Sequence, residues 1–127
     1  MSIKSTEQEI ASFCFKEIPS SNKTQLADNN DKLSKFKSDI RRLPAMITNN
    51  GLLATMTFYK KNNDKVYNII NKWFSNKSGR DIDLIKYLTN LTYEELLFKT
   101  SEALKLADWL KRIVEVKIKD DKTTQEE

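Results

Sequence analysis

Apolar residues recur along most of the chain with the spacing of one face of an α-helix. Positions i, i+3 or i+4, and i+7 turn their side chains to the same side of a helix. The stripes comprise Ile10, Phe13 and Cys14; Leu33, Phe36, Ile40 and Leu43; Val66, Ile69, Ile70 and Trp73; Leu84, Ile85 and Leu88; and Leu96, Ala103, Ala107, Leu110 and Val114. The pattern predicts an all-α fold, a single compact bundle of about six helices without an internal repeat.

Capping residues mark the ends of the first and last helices. Either Ser5–Gln8 or Thr6–Glu9 has the spacing of a capping box at the start of the first helix, and Pro19–Asn22 ends it. The same spacing recurs at Thr92–Glu95, so a long C-terminal helix is predicted from there to about Lys119. Residues 92 to 119 make 28 residues, or roughly 42 Å of helix.

The middle of the chain allows more than one arrangement. Asp31 or Asp28 is predicted to cap the second helix after a polar connection. Pro44 either kinks that helix or starts a new one as its first-turn residue. Residues 44–61 are densely apolar, as in the central helix of a bundle, and they contain Gly51. We favour close approach of another helix at Gly51 over simple tolerance of glycine, which would cost about 1 kcal/mol.

Two polar interruptions divide the next part of the chain. Asn62–Asp64 is predicted to form a loop and a helix cap, and Asn76–Arg80 a second break. Asp81 is predicted to cap a short helix. The charged segment 120–127 is expected to be a flexible tail, which makes residues 1–119 a single helical domain.

Composition supports an all-α domain and excludes several kinds of site. The 127 residues include only two glycines and two prolines, fewer than the turns of a β-rich fold of this size require. The single cysteine, Cys14, excludes an internal disulfide and is expected to be a small core residue. Because the chain has no histidine, the usual zinc sites and histidine acid–base chemistry are absent. No apolar run is long enough to span a membrane and the polar start is unlike a signal peptide, so a cytoplasmic protein is expected.

No pattern of residues indicates catalysis. Nucleotide-binding glycine loops, nucleophile elbows and calcium-loop spacings are missing from the sequence. The carboxylate pairs Asp81/Asp83 and Glu94/Glu95 stand at predicted helix starts, where acids interact favourably with the helix dipole. We therefore expect neither an enzyme nor a metal or cofactor site, nor a small-molecule substrate.

Positive charge is concentrated in one stretch of the chain. The whole chain carries +4, whereas residues 32–61 contain seven basic residues and only one acid, Asp39. The basic residues are Lys32, Lys35, Lys37, Arg41, Arg42, Lys60 and Lys61. Those before Pro44 avoid the apolar face, so their charges are predicted to point to solvent. Phosphate binding and a merely solvated face explain this cluster equally well on charge alone.

Two further features bear on nucleic-acid binding. Tyr59, next to the two lysines that follow it, is the best candidate for an exposed aromatic ring that stacks on bases. In the last helix, Asp108 and Glu115 alternate with basic residues three positions earlier, which is typical of intrahelical ion pairs on a solvated face. Lys111 and Arg112 in that helix remain secondary candidates for a partner.

Two segments carry a resemblance to a known family. One runs Arg41-Arg42-Leu43-Pro44-Ala45-Met46-Ile47-Thr48-Asn49-Asn50-Gly51-Leu52, and the other runs Thr100-Ser101-Glu102-Ala103-Leu104-Lys105-Leu106-Ala107-Asp108-Trp109-Leu110-Lys111-Arg112. Together they resemble the small α-helical subunit of the type III-B (Cmr-type) CRISPR effector complex, over about residues 33 to 112. Residues 62–90 match that family only in their helical character.

The resemblance implies a non-catalytic subunit of a cytoplasmic, RNA-guided antiviral ribonucleoprotein. Such subunits pack against like copies and against the repeated backbone subunits, while a basic surface faces the guide–target duplex. Target cleavage belongs to the backbone subunits. The protein then holds phosphates, and base pairing supplies the sequence readout.

On this hypothesis the first candidates for contact with the RNA backbone are Lys35, Lys37, Arg41 and Arg42, followed by Lys60, Lys61, Lys111 and Arg112. Six residues of the two segments are assigned to the fold: Leu43, Pro44, Met46, Ile47, Gly51 and Trp109. The main alternative is a helical protein–protein adaptor without direct RNA binding, whose basic residues serve solvation or an acidic protein. A small DNA-binding regulator is disfavoured, because no helix-turn-helix pattern is recognisable.

Overall fold

The computed structural model describes residues 5–20 and 27–119, with side chains described at all of these except 27–30. Within these ranges the chain forms six α-helices and no strand. They are α1 (Thr6–Glu17), α2 (Ala27–Asn50), α3 (Leu52–Asn62), α4 (Asp64–Ser78), α5 (Leu84–Thr89) and α6 (Tyr93–Lys117). The predicted all-α class, the number of helices and the long C-terminal helix are confirmed. The predicted tail, 120–127, lies outside the described residues.

Reciprocal capping boxes start α1 and α6. Of the two alternatives at the N-terminus, Ser5 is the cap: its hydroxyl accepts from the Gln8 amide, and the Gln8 side chain accepts from the Ser5 amide. Thr92 and Glu95 make the same pair of bonds at the start of α6. Each box satisfies two backbone amides at a helix end that have no intrahelical partner.

Helix α2 differs from the prediction at both ends. It begins at Ala27, before both predicted caps, and passes through Pro44 as one helix of 24 residues. Pro44 does not start a new helix, because α2 continues past it. The predicted central helix over residues 44–61 is therefore wrong, because the chain breaks at Gly51 and restarts as α3.

Gly51 is needed for its backbone conformation and not for close packing. Its φ of 89° and ψ of 159° form a conformation that side chains with a Cβ rarely adopt. A methyl group placed there would meet no neighbouring atom within 4 Å, so the expected close approach of another helix is wrong. The glycine lets the chain turn sharply between α2 and α3.

The short helices are ended and oriented by polar contacts. Gly79 ends α4 with a left-handed φ of 74°, and its amide bonds back to the last turn. The N-cap of α5 is Asp83 and not Asp81 as predicted. The Leu84 amide at the start of α5 donates to Asn71 Oδ1 of α4 at 2.7 Å, so α5 is fixed to α4 by its first turn.

The core lies where α6 packs along α1 and α2, with α3, α4 and α5 completing it. The predicted stripes supply most of the buried apolar side chains, among them Ile40, Leu43, Ile70, Leu110 and Val114. Cys14 is fully buried, as expected, and burial raises the pKa of its thiol to about 12. No helix among the described residues is long and apolar enough to cross a membrane.

Candidate nucleic-acid interface

Buried Asp39 organises the basic residues in the middle of α2. Its carboxylate is 3% exposed and accepts from Lys35 Nζ at 2.8 Å, from Asn63 Nδ2 at 2.8 Å and from the guanidinium of Arg42. Burial alone would raise the pKa of Asp39, but the bonds from Asn63, Lys35 and Arg42 outweigh it and lower the pKa. The Lys35 and Arg42 side chains stay 60% and 63% exposed, so both still present charge to solvent.

The last turn of α3 carries a second pair of cations, just before the turn into α4. Lys35 Nζ lies 3.5 Å from the carbonyl of Asn62, the last residue of α3. Lys60 and Lys61 precede that residue, both are exposed, and the Lys60 ammonium lies over the Tyr67 ring at 4.7 Å. Lys35 therefore reaches the end of the helix that carries the other two lysines, and we give these four cations of α2 and α3 the name α2–α3 basic corner: Lys35, Arg42, Lys60 and Lys61.

Lys37 and Arg41 point in another direction, towards α6. Lys37 is 4% exposed; its ammonium donates to the Ile118 carbonyl at 2.5 Å and lies 3.5 Å from Glu115. Arg41 makes two bonds to the Glu115 carboxylate, at 2.5 and 2.8 Å. These bonds, led by those from Arg41, lower the pKa of Glu115. The prediction that all the charges before Pro44 point to solvent is therefore wrong for Lys37.

The candidates on α6 lie near this contact but are not part of it. Lys111 and Arg112 are exposed, and the Arg112 guanidinium lies over the Trp109 ring, 4.9 Å from its centre. Glu115 pairs across to α2, so the intrahelical ion pair predicted for it is wrong. The side chain of Trp109 is partly buried against the core, as its assignment to the fold implied.

Tyr59 does not serve as an exposed stacking ring. It is fully buried, and its hydroxyl donates to the Asp39 carbonyl at 3.0 Å. Burial, followed by the charge of Asp39, raises its pKa. Tyr59 thus fastens α3 to α2, and the prediction of exposure is wrong because this apolar face turns inward.

Sequence reasoning missed an exposed apolar surface on the first turns of α6. Tyr93, Leu97 and Phe98 are 74%, 51% and 66% exposed, and we call them the α6 apolar ridge. The three residues lie outside the apolar stripe of α6 that packs into the core. Apolar residues outside that stripe were the signal in the sequence for an exposed apolar surface. Glu94 and Glu95 flank the ridge in the first turn, as predicted for acids at a helix start.

No group of three or more acidic or cysteine side chains in the ranges 5–20 and 31–119 is arranged to hold a metal ion. The Asp83 carboxylate accepts from the Tyr67 hydroxyl at 3.1 Å, so its contact is structural. The distinctive chemistry of the described surface is consequently positive charge on α2, α3 and α6, and an apolar ridge at one end.

Comparison with known proteins identifies the family of the chain. The family described as CRISPR-associated protein (Cas_Cmr5) matches residues 6–117 of the chain. The chain belongs to the Cas_Cmr5 family. Its fold also matches the crystal structure of a CRISPR-associated Cmr5 family protein from Thermus thermophilus, with a TM-score of 0.70 at 15% identity over 91% of this chain and 100% of that one. The resemblance seen in the two motif segments is thereby confirmed, and membership implies a subunit of a type III-B Cmr effector complex.

Proposed function

We propose that the chain is a non-catalytic scaffold subunit of a type III-B CRISPR effector ribonucleoprotein, working in antiviral defence in the cytoplasm. It packs beside like subunits and backbone subunits, and its basic surface contacts the backbone of guide and target RNA. Family membership supports the complex. The α2–α3 basic corner is the single observation that supports the RNA contact.

The eight candidate cations differ in the hydrogen-bond and ion-pair partners that they have within the protein. Lys37 and Arg41 are engaged with Ile118 and Glu115, so we propose that they fasten α2 to α6. Lys35 and Arg42 share the buried carboxylate of Asp39 and present their outer faces to solvent.

The remaining four cations are the better RNA ligands. None pairs with an acidic side chain in the part of the chain that the structure describes, and all are exposed; they are Lys60, Lys61, Lys111 and Arg112. We therefore propose that Lys60, Lys61 and Lys111 make the principal phosphate contacts, with the outer faces of Lys35 and Arg42 beside them, and that Arg112 contacts the RNA next to Lys111. An ammonium or guanidinium without a carboxylate partner gains most from a phosphate, because no existing ion pair has to be broken.

Reversal of Lys60 and Lys61 to glutamate tests the RNA contact without disturbing an ion pair. The tagged variant is co-expressed with the other subunits of the effector, and the purified assembly is analysed for protein and for short RNA. We expect the subunits to assemble while RNA retention falls. If each lysine makes one phosphate contact, the slope of log affinity against log salt decreases by about 1.4 to 1.8 in magnitude.

A matched control changes the same charge elsewhere. Lys16 on α1 and Arg80, which follows the C-terminal end of α4, are exposed, and their reversal changes net charge by the same amount. That variant should retain RNA. Equal retention by the Lys60/Lys61 variant and the control would contradict RNA contact at the basic corner.

The second candidate function is a helical protein–protein adaptor without direct RNA binding. The α6 apolar ridge favours it, since exposed apolar patches mark protein contacts. If this alternative is correct, the Lys60/Lys61 variant should assemble with the other subunits and retain an unchanged amount of RNA. Loss of RNA from an intact assembly is the outcome that it excludes.

A further inference from the structure

A cleft of about 350 Å³ lies between the first turns of α1 and the middle of α6. Its apolar surface comes from Ile10 and from the indole of Trp109. The rest of the wall is polar and consists of Thr6, two acids and two cations; the charged residues are Glu7, Asp108, Lys105 and Arg112. The cleft is therefore aromatic on one side and polar around its edge.

The two tryptophans of the chain differ in access. Trp73 is 6% exposed, and the Phe13 ring packs edge-on against it at 5.1 Å. Trp109 is only partly buried and lines the cleft, with the Arg112 guanidinium over its ring at 4.9 Å. An indole ring and a guanidinium are both flat groups of the kind on which nucleic-acid bases stack.

The charges of the cleft favour a neutral ligand over a phosphate. The two carboxylates and the two cations sum to zero, so a phosphate meets as much repulsion as attraction. A nucleobase is neutral, flat and apolar on its faces, and its edges carry both donors and acceptors. Glu7 and Asp108 can accept from such edges, while Lys105 and Arg112 can donate to them.

The cleft lies close to the surface proposed to follow the RNA backbone. Arg112 precedes Glu115, the partner of Arg41, by three residues, which is about 4.5 Å along the helix axis. Trp109 lies another 4.5 Å or so further along α6. A strand that passes the exposed cations of α6 would therefore bring its bases within reach of the cleft.

We propose that this cleft receives one unpaired RNA base, which stacks against the Trp109–Arg112 pair. The inference rests on the proposed function, since it assigns the base contact that accompanies the phosphate contacts. The base is held by stacking and by its polar edge, and its phosphate lies outside the cleft.

Tryptophan fluorescence tests this proposal in the full chain. Octauridylate is added at low ionic strength, and a strand of equal length without bases is the comparison. Octauridylate should quench the emission of the chain, and the abasic strand should not. A Trp109→Phe variant should show no quenching, because its remaining Trp73 is enclosed.

Affinity gives a second readout with a matched control. Trp109→Leu should weaken octauridylate binding about tenfold, as expected for the loss of one stacked base, while Trp109→Phe keeps most of it. Phe15→Leu is the control, because Phe15 is also an exposed ring under a cation, Lys117 at 4.5 Å, but does not line the cleft. Its affinity should stay within about twofold of that of the unaltered chain.

The remaining outcomes overturn the proposal in distinguishable ways. Equal quenching by the abasic strand would make the contact one with phosphate. Absence of quenching would reject the base site, and RNA retention by the assembled complex would still decide the proposed function separately. A change of Trp109 emission only when other subunits are added would show that a protein side chain occupies the cleft.

Discussion

Arg41 of α2 and Glu115 of α6 are joined by two parallel bonds, with Nε 2.5 Å from Oε2 and Nη2 2.8 Å from Oε1. The same carboxylate lies 3.5 Å from the buried ammonium of Lys37. Three charges thus hold the two longest helices together near the C-terminal end of α6. A charge reversal at Arg41 would loosen this contact as well as any contact with RNA, so it cannot separate folding from binding.

Glu115→Gln should lower the free energy of unfolding by about 1 kcal/mol. The change removes a charged partner from Arg41 and leaves the buried Lys37 ammonium with less compensation, although partial exposure of the pair limits the loss. Urea denaturation measures it. Asp108→Asn removes an exposed carboxylate from the same helix and should leave the midpoint almost unchanged; equal midpoints for the two variants would contradict the proposed fastening role.

Asp39 should make stability depend on pH in the acid range. Its pKa is lower in the folded protein than in the unfolded chain, so the stabilisation is complete above the unfolded value of about 3.9 and is lost as pH falls through the lower, folded value. Asp39→Asn should be less stable at pH 7, by roughly 1–3 kcal/mol, because Lys35 and Arg42 lose their charged partner.

Thermal unfolding between pH 7 and pH 3 checks this prediction. The unaltered chain should lose stability on the acid side, and the Asp39→Asn variant should lose less of it there. Glu115, whose pKa is also lowered, contributes a further acid loss that the variant keeps. Parallel curves for the two proteins would show that Asp39 does not couple folding to pH.

Gly51→Ala should destabilise the fold by about 1–3 kcal/mol, although the added methyl group meets no neighbour. The cost comes from the positive φ at the junction of α2 and α3. Gly79→Asn is the comparison, because asparagine tolerates the left-handed conformation that ends α4. Its midpoint in urea should fall less, and a smaller loss at Gly51 than at Gly79 would contradict the backbone argument.

Cys14 should be unreactive in the folded protein. Its side chain has no solvent exposure, and burial raises the pKa of its thiol to about 12, so almost no thiolate exists at pH 8. A colourless thiol reagent that releases a chromophore should react slowly with the native chain and fully in denaturant. Rapid labelling of the native protein would show that the α1–α6 contact opens readily.

The sequence predicted those parts of the fold that depend on local pattern. The capping box at Thr92 and the apolar stripe after it fix α6, because both signals act within a few residues. These local signals did not decide whether the helix continues through Pro44 or breaks at Gly51. Burial of neighbouring side chains keeps α2 helical through Pro44, whereas the break at Gly51 depends on a backbone angle that a residue type permits but does not require.

The candidate site was less predictable than the fold, because a sequence gives the order of charged residues along the chain and not their neighbours in space. Lys37 and Arg41 belong to the basic stretch, but their partner Glu115 lies more than seventy residues away. Asp39, the one acid in that stretch, also accepts a hydrogen bond from Asn63, which lies between α3 and α4. Long-range partners of this kind leave no periodic trace in a single sequence.

The α6 apolar ridge should be needed for assembly and dispensable for folding. Leu97 and Phe98 are more than half exposed, so changing both to serine should alter the free energy of unfolding by less than about 1 kcal/mol. Apolar side chains that gain burial only in a complex act mainly on binding, and loss of two should reduce co-purification of the other subunits. Val116→Ser is the matched control, because Val116 is 72% exposed near the opposite end of α6. Unchanged co-purification of the Leu97/Phe98 variant would exclude the ridge as the protein contact, whereas a loss shared with the Val116 variant would move that contact to the whole outer face of α6.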